Sequence, residues 1–280
     1  MARPLQSISG IFCTLLAGCS STSLLNPKGP VGLAELSDIR TAFGLMLIVV
    51  VPVIVMAIWF PRKYSASRTA KDYDPKWSHS ARIDLVVWLI PSIIVAILGT
   101  LVWKESHRLD PFMPIDARVS PIDIEAVSLD WKWLFIYPDQ HIATIDQLVF
   151  PADVPVSFRI TSGTVMTSFF IPQLGSQIYA MAGMQTRLHL LADEPGTYFG
   201  QNQQYSGRGY SDMRFKVNVV SMKAFRDWTR KTAQSPEKLD FARYQAISEP
   251  GIGYPVSAFS GVEKGLFEEI INGYRKPERR

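Results

Sequence analysis

Two long apolar runs, 41–60 and 83–103, stand apart from the rest of the chain. Each is about 20 residues long, the length a helix needs to cross the hydrocarbon core of a bilayer. The first contains no charged residue, and the second contains a single one, Asp84, at its start. The pattern predicts a hairpin of two transmembrane helices. Beyond residue 104 the period changes. Short stretches rich in Val, Ile, Phe, Tyr and Trp fall at 124–129, 131–137, 143–150, 156–162, 169–171, 178–180, 186–191, 196–200 and 213–220. Turn signals such as Tyr137-Pro138-Asp139 and Glu194-Pro195-Gly196 separate them. Strands at that spacing predict an all-β sandwich or barrel over 104–220. From 221 to 280 the character changes again, with helical periodicity at 224–232 and 265–274 around a turn-rich interval at 250–255, so a helical extension follows the sandwich.

Charge adds an orientation. The formal net charge of +4 is small and the basic residues are scattered, which argues against a nucleic-acid partner. Between the apolar runs, however, the loop 61–82 carries Arg62, Lys63, Arg68, Lys71, Lys76 and Arg82 against only Asp72 and Asp74. The positive-inside tendency places that loop in the cytoplasm and both outer segments, including the sandwich, in the periplasm. Trp59, Trp77, Trp88 and Trp103 lie in or near the span ends, where amphipathic rings favour the interface; Trp88 has the alternative of facing a neighbouring subunit.

The N-terminus has its own signal. Arg3 followed by an apolar stretch at 8–17 has the order of a secretory signal and is too short for a stable span, so 1–18 is expected to be removed. The stretch ends in Leu16-Ala17-Gly18-Cys19, which resembles a bacterial lipobox, and this implies lipidation of Cys19 as the new N-terminus, followed by a periplasmic segment, 19–40. Acyl chains there would add anchorage on the periplasmic side of the inner membrane. The alternative is an uncleaved third apolar segment with an incidental cysteine.

The chain's two cysteines, Cys13 and Cys19, both precede the first span, so the sandwich has neither a disulfide nor a thiolate ligand. That matters for the resemblance carried by Val165-Met166-Thr167-Ser168-Phe169-Phe170-Ile171-Pro172, by Gln185-Thr186-Arg187-Leu188-His189-Leu190 and by Asp130-Trp131-Lys132-Trp133-Leu134-Phe135-Ile136-Tyr137-Pro138. Together with Thr41-Ala42-Phe43-Gly44-Leu45-Met46 and Trp77-Ser78-His79-Ser80, these segments are similar to subunit II of cytochrome bo-type ubiquinol oxidases in the haem–copper oxidase superfamily. The resemblance runs from the lipobox to the extension. It implies a cupredoxin-like sandwich shared with subunit II of cytochrome c oxidases, where a dinuclear copper centre accepts electrons from cytochrome c.

Laying the copper-ligand pattern of those relatives on this chain puts Thr167 at the first histidine. Asn202, Gln204, Ser206, Tyr210 and Met213 then fall where cysteine, glutamate, cysteine, histidine and methionine stand, so Met213 alone is retained. Copper selects soft thiolates and imidazoles, which amide, hydroxyl and phenol do not replace. Met213 by itself reads as core packing, and His189 as a structural hydrogen-bonding residue. The resemblance therefore implies a subunit with no metal, haem or redox centre of its own. It also implies that ubiquinol is oxidised, and dioxygen reduced to water with proton pumping, in a partner subunit I that holds the haems and copper, with further subunits and the lipid membrane as partners and no role for cytochrome c. Trp131 and Trp133 match the aromatic pair near the electron-accepting centre of the copper-bearing relatives, and with no copper beneath them they are expected to pack against subunit I.

Asp84 falls where the family carries an acidic residue at the mouth of a proton-uptake channel, and an ionisable group in a span warrants a functional reading. An acid in the first turn of a helix is also favoured by the helix dipole alone. Two rivals remain from other classes: a copper-bearing cytochrome c oxidase subunit II, which needs cysteines at 202 and 206, and a stand-alone lipoprotein with a decayed sandwich, which would be stable without partners.

Overall fold

The computed structural model describes residues 23–65, 78–117 and 119–274; Cys13, Cys19 and Trp77 lie outside them. These residues divide into two compact units, one holding 35–110 and the other holding the chain up to 34 and from 111 onward.

The first unit is built from helix α1 (Pro30–Lys63) from Glu35 onward, its first turn belonging to the second unit, and from helix α2 (Ala81–Arg108). Both are long and apolar enough to cross a membrane, and their apolar windows have no buried positions. Each runs past its apolar window, since Asp38 and Arg40 precede the first and Lys104 to Arg108 follow the second while the backbone stays helical. Asp84 sits exposed in the first turn of α2, its N–H donating to the Ser80 carbonyl at 2.9 Å.

The second unit is a sandwich with a third layer. Strands β1 (Ile122–Leu129), β2 (Lys132–Tyr137), β3 (Ile142–Ile145), β4 (Gln147–Pro151), β5 (Val156–Ser162), β6 (Thr167–Phe169), β7 (Ile178–Ala180), β8 (Thr186–Leu190), β9 (Gly196–Gln201) and β10 (Arg214–Val220) are followed by α3 (Met222–Thr232), α4 (Phe241–Ser248), β11 (Ser257–Ser260) and α5 (Leu266–Tyr274). A six-stranded sheet has the order β11-β3-β2-β1-β5-β8, a three-stranded sheet the order β4-β10-β9, and β6 pairs with β7. β2 reads Lys-Trp-Leu-Phe-Ile-Tyr and is buried at every position, the pattern of a central strand covered on both faces. Trp133, Phe135 and Tyr137 point into the core between the sheets, whereas Leu134 and Ile136 point into a second core on the sheet's other face, filled by Tyr244, Phe259, Phe267 and Ile270 of the extension. The alternation of side chains along one strand thus supplies two cores.

Two features depart from the sequence pattern. The single strand expected at 143–150 is two strands, because the chain crosses from one sheet to the other at Asp146, whose φ is +55°. The Asp146 carboxylate accepts the Trp133 N–H at 2.7 Å and fixes that corner. Its burial raises the carboxyl's pKa to about 7, against the lowering effects of the Trp133 N–H and Lys132. The extension carries its expected helices, with α4 in addition, and contributes β11 to the six-stranded sheet, paired antiparallel to β3 from Ser257 opposite Ile145 to Ser260 opposite Ile142.

The segment leading into α1 is fastened to the sandwich. Lys28 N–H donates to the Gln173 carbonyl and Gly32 N–H to the Leu174 carbonyl, while Asp193 N–H donates to the Lys28 carbonyl. A Cβ at Gly29 would overlap the Leu191 carbonyl oxygen, so the close approach of the two backbones requires glycine there. Two residues earlier on the same stretch, His189 Nδ1 lies 3.0 Å from the Pro111 carbonyl, which ties down the segment that follows α2.

Candidate functional site

The positions that align with metal ligands converge at one end of the sandwich. Thr167 opens β6, and Asn202 to Met213 form the loop from β9 to β10. Asn202 organises the group. Its Oδ1 accepts the N–H of Ser168 at 2.9 Å, the N–H of Gln204 at 2.9 Å and the Ser168 hydroxyl at 3.3 Å. Its Nδ2 donates to the Gln204 carbonyl at 2.7 Å and to Ser206 Oγ at 3.2 Å. Ser168 Oγ in turn accepts the Gln203 N–H at 2.8 Å, and Thr167 Oγ1 donates to Ser128 Oγ at 2.6 Å. Asn202, Thr167, Ser168 and Ser128 are all buried, and this network satisfies polar groups that would otherwise be costly inside the fold.

Met213 is buried in the core between the sheets, as its thioether alone suggested. Tyr210 lies exposed at the tip, its ring edge-on to that of Tyr205 at 5.1 Å. The expected aromatic pair separates. Trp131 precedes β2 and lies half-buried under the loop, its Nε1 donating to the Ser206 carbonyl at 2.7 Å. Its indole leaves room only for glycine above it, since a Cβ at Gly207 or Gly209 would come within 2.8 or 2.6 Å of the ring. Trp133 has no exposed surface and packs against Phe169 and Phe215 at 5.3 and 5.7 Å between centroids. The expected role of Trp133 in contacting another subunit is therefore corrected: β2 begins at Lys132, and its alternation turns Trp133 into the core.

Ser128, Ser168 and the extension also belong to this site, beyond the residues to which the sequence points. Gly251 N–H donates to the Asp130 carbonyl at 2.9 Å, Lys132 Nζ donates to the Glu249 carbonyl at 2.8 Å, and Ile252 would meet a Cβ on Gly209 at 2.8 Å. Lys132 also lies 4.8 Å from the Tyr254 ring centroid. Its amine is buried, and desolvation lowers its pKa. The stretch 249–254 thus rests beside the ligand-aligned loop. The Ser and Thr residues flanking Thr167 were the signal for the hydrogen-bonded half of the site; the contacts with 249–254 join residues far apart in the chain and left no local mark.

Residues 140–220 match the family model for the periplasmic domain of cytochrome c oxidase subunit II, and residues 233–278 match the COX aromatic rich motif. The chain is 53% identical over 260 residues to the cytochrome bo(3) ubiquinol oxidase subunit 2 of Pseudomonas aeruginosa, covering 93% of this chain and 78% of that one. It belongs to the subunit II family of cytochrome bo-type ubiquinol oxidases. Ubiquinol oxidase subunit 2 of Acetobacter aceti is 48% identical over 262 residues, covering 93% of this chain and 85% of that one. Quinol oxidase subunit 2 of Bacillus subtilis is 37% identical over 239 residues, covering 84% and 74%.

The wider cytochrome c oxidase family implies a dinuclear copper centre at this loop, and the residues of this subunit II do not fit it. Such a centre needs bridging thiolates and imidazoles. The aligned positions offer amides, hydroxyls, a phenol and one thioether. The amide at 202 is moreover engaged at both its oxygen and its nitrogen, so it has no free donor atom facing a metal. What the arrangement does chemically is hold the loop closed with hydrogen bonds.

Proposed function

We propose that this chain is the non-redox subunit II of a proton-pumping terminal ubiquinol oxidase, in which quinol oxidation and reduction of dioxygen to water take place in a subunit I holding the haems and copper. The observation that carries this reading is the Asn202 network, in which a buried amide with five hydrogen bonds stands at a position where electron transfer from cytochrome c would need a thiolate. With no redox group to serve, the sandwich becomes a rigid cover and support for subunit I, and half-buried Trp131 is the residue of the aromatic pair that reaches a surface where it can contact a partner. The alternative of a copper-bearing cytochrome c oxidase subunit lacks every ligand except Met213. Copper titration of the purified full chain separates the two: no copper retained through gel filtration is expected, whereas two ions held per chain would overturn the reading.

The same reading places the chain in the bacterial inner membrane, with α1 and α2 spanning it, the basic loop 61–82 in the cytoplasm, the sandwich in the periplasm and a lipidated Cys19 as an added tether. Asp84, in the first turn of α2 beside that basic loop, then stands at the cytoplasmic surface where protons are taken up. It serves as a proton-collecting carboxylate at the mouth of a pathway in subunit I. Asp84→Asn keeps the size and removes the charge. The complex carrying it is expected to lose turnover and proton ejection in reconstituted vesicles; unchanged values for both would reduce Asp84 to a favourable charge at a helix start.

A further inference from the structure

Among the contacts between the C-terminal extension and the sandwich, one is a shared guanidinium. Arg159, on β5, donates from Nη1 to Glu125 of the neighbouring β1 at 2.8 Å and from Nη2 to Glu268 of α5 at 2.6 Å. Its Nε and Nη2 also reach Gln185 Oε1, both at 3.1 Å, and its guanidinium carbon lies 4.8 Å from the Phe267 ring centroid. A single positive charge is thus shared by two carboxylates, one buried in the sheet and the other on the extension. Beside them opens a cavity of about 220 Å³ whose lining includes Glu125, His141, Glu263, Lys264, Phe267 and Glu268, which gives water and protons access to the buried carboxyl.

We propose that the shared Arg159 is a proton-sensitive latch that holds α5 on the sandwich more tightly when Glu125 is protonated than when it is ionised. With Glu125 ionised, two negative groups compete for one guanidinium and repel each other. With Glu125 neutral, Arg159 and Glu268 form a balanced pair. Burial raises the Glu125 pKa to about 7, outweighing the opposing pull of Arg159, with Glu268 and Asp123 adding to the rise. The Arg159 hydrogen bond holds Glu268 below its ordinary value. A raised carboxyl contributes stability that is complete below its unfolded value and is lost as pH rises through about 7, while Glu268 contributes stability that is lost only as pH falls through its depressed value. The latch is therefore tightest on the acid side of neutrality, down to where Glu268 itself is protonated.

The charged and titratable groups facing Glu125 and Arg159 are Asp123 on β1, Arg187 opposite Arg159 on β8, His141 between β2 and β3, Glu263 and Lys264 ahead of α5, and Glu268 on α5. His141 shares the cavity, so the test separates it from Glu125. A physiological role rests on the proposed periplasmic placement, where proton release by the complex would acidify this face; the latch itself does not depend on that placement.

The test is hydrogen–deuterium exchange of 266–274 in the intact complex at pH 6 and pH 8, corrected for intrinsic rates, with the β1 and β2 peptides as reference. The wild type is expected to show several-fold greater protection of α5 at pH 6. Glu125→Gln is expected to be protected at both pH values and Glu268→Gln at neither. Equal protection of the wild type at the two pH values would overturn the latch, and so would a wild-type pH dependence surviving in Glu125→Gln, which would point to His141. If Glu125→Gln fails to assemble, a pH dependence surviving in Glu268→Gln overturns it equally. None of these outcomes bears on whether quinol is the electron donor.

Discussion

Asn202→Ala is expected to destabilise the sandwich by roughly 2–5 kcal/mol, because it strips the acceptor from the buried Ser168 N–H, which costs about 1–3 kcal/mol, and from the half-buried Gln204 N–H, which costs somewhat less. For a chain of this size each kcal/mol lowers the melting temperature by roughly 2–4 °C, so the melt of the full chain, followed by tryptophan fluorescence, should drop by roughly 5–15 °C. Asn202→Leu separates hydrogen bonding from packing, since it keeps most of the volume and none of the polar contacts. It is expected to be as damaging as the alanine. If leucine restored the melting temperature, the amide would be a space-filler and the network would not be what closes the loop.

The reason for this sensitivity lies in how the loop is anchored. In a copper-bearing relative the ligand-bearing strand and loop would be joined through metal bonds. In this chain the same two pieces, Thr167-Ser168 and the loop 202–213, are joined through Asn202 Oδ1 and Ser168 Oγ, with Trp131 packed beneath and Ile252 of the extension beside them. Burial of the network keeps its hydrogen bonds out of competition with water, which is what makes their loss expensive.

Much of this was legible along the chain. The two spans were readable because about 20 apolar residues have few soluble uses, and the strands because a sheet face repeats every second residue. The absence of thiolates after Cys19 already weighed against a thiolate-bridged copper centre in the sandwich. The break at Asp146 was not legible, since the apolar alternation runs straight through it and only a positive φ and a hydrogen bond to Trp133 turn the corner. β11 reads Ser-Ala-Phe-Ser, too short and too polar to announce a strand without its partner β3. The two tryptophans looked equivalent in sequence because they share a two-residue spacing; the start of β2 at Lys132 sends one to the site and the other into the core. Arg159 passed as one scattered basic residue among many, because its partners at 125 and 268 come together only in the fold.

Electrons are expected to reach the complex from quinol without passing through this subunit, a claim that the choice of electron donor puts to the test. The complex, purified through a tag on this chain, is supplied with reduced ubiquinone or with reduced cytochrome c while oxygen uptake is recorded. Rapid uptake with ubiquinol and only background uptake with cytochrome c is the expected result, since Thr167, Asn202, Gln204, Ser206 and Tyr210 present no thiolate or imidazole to a metal. Sustained uptake with cytochrome c would contradict the claim, because it would require an electron-accepting centre at or near this loop.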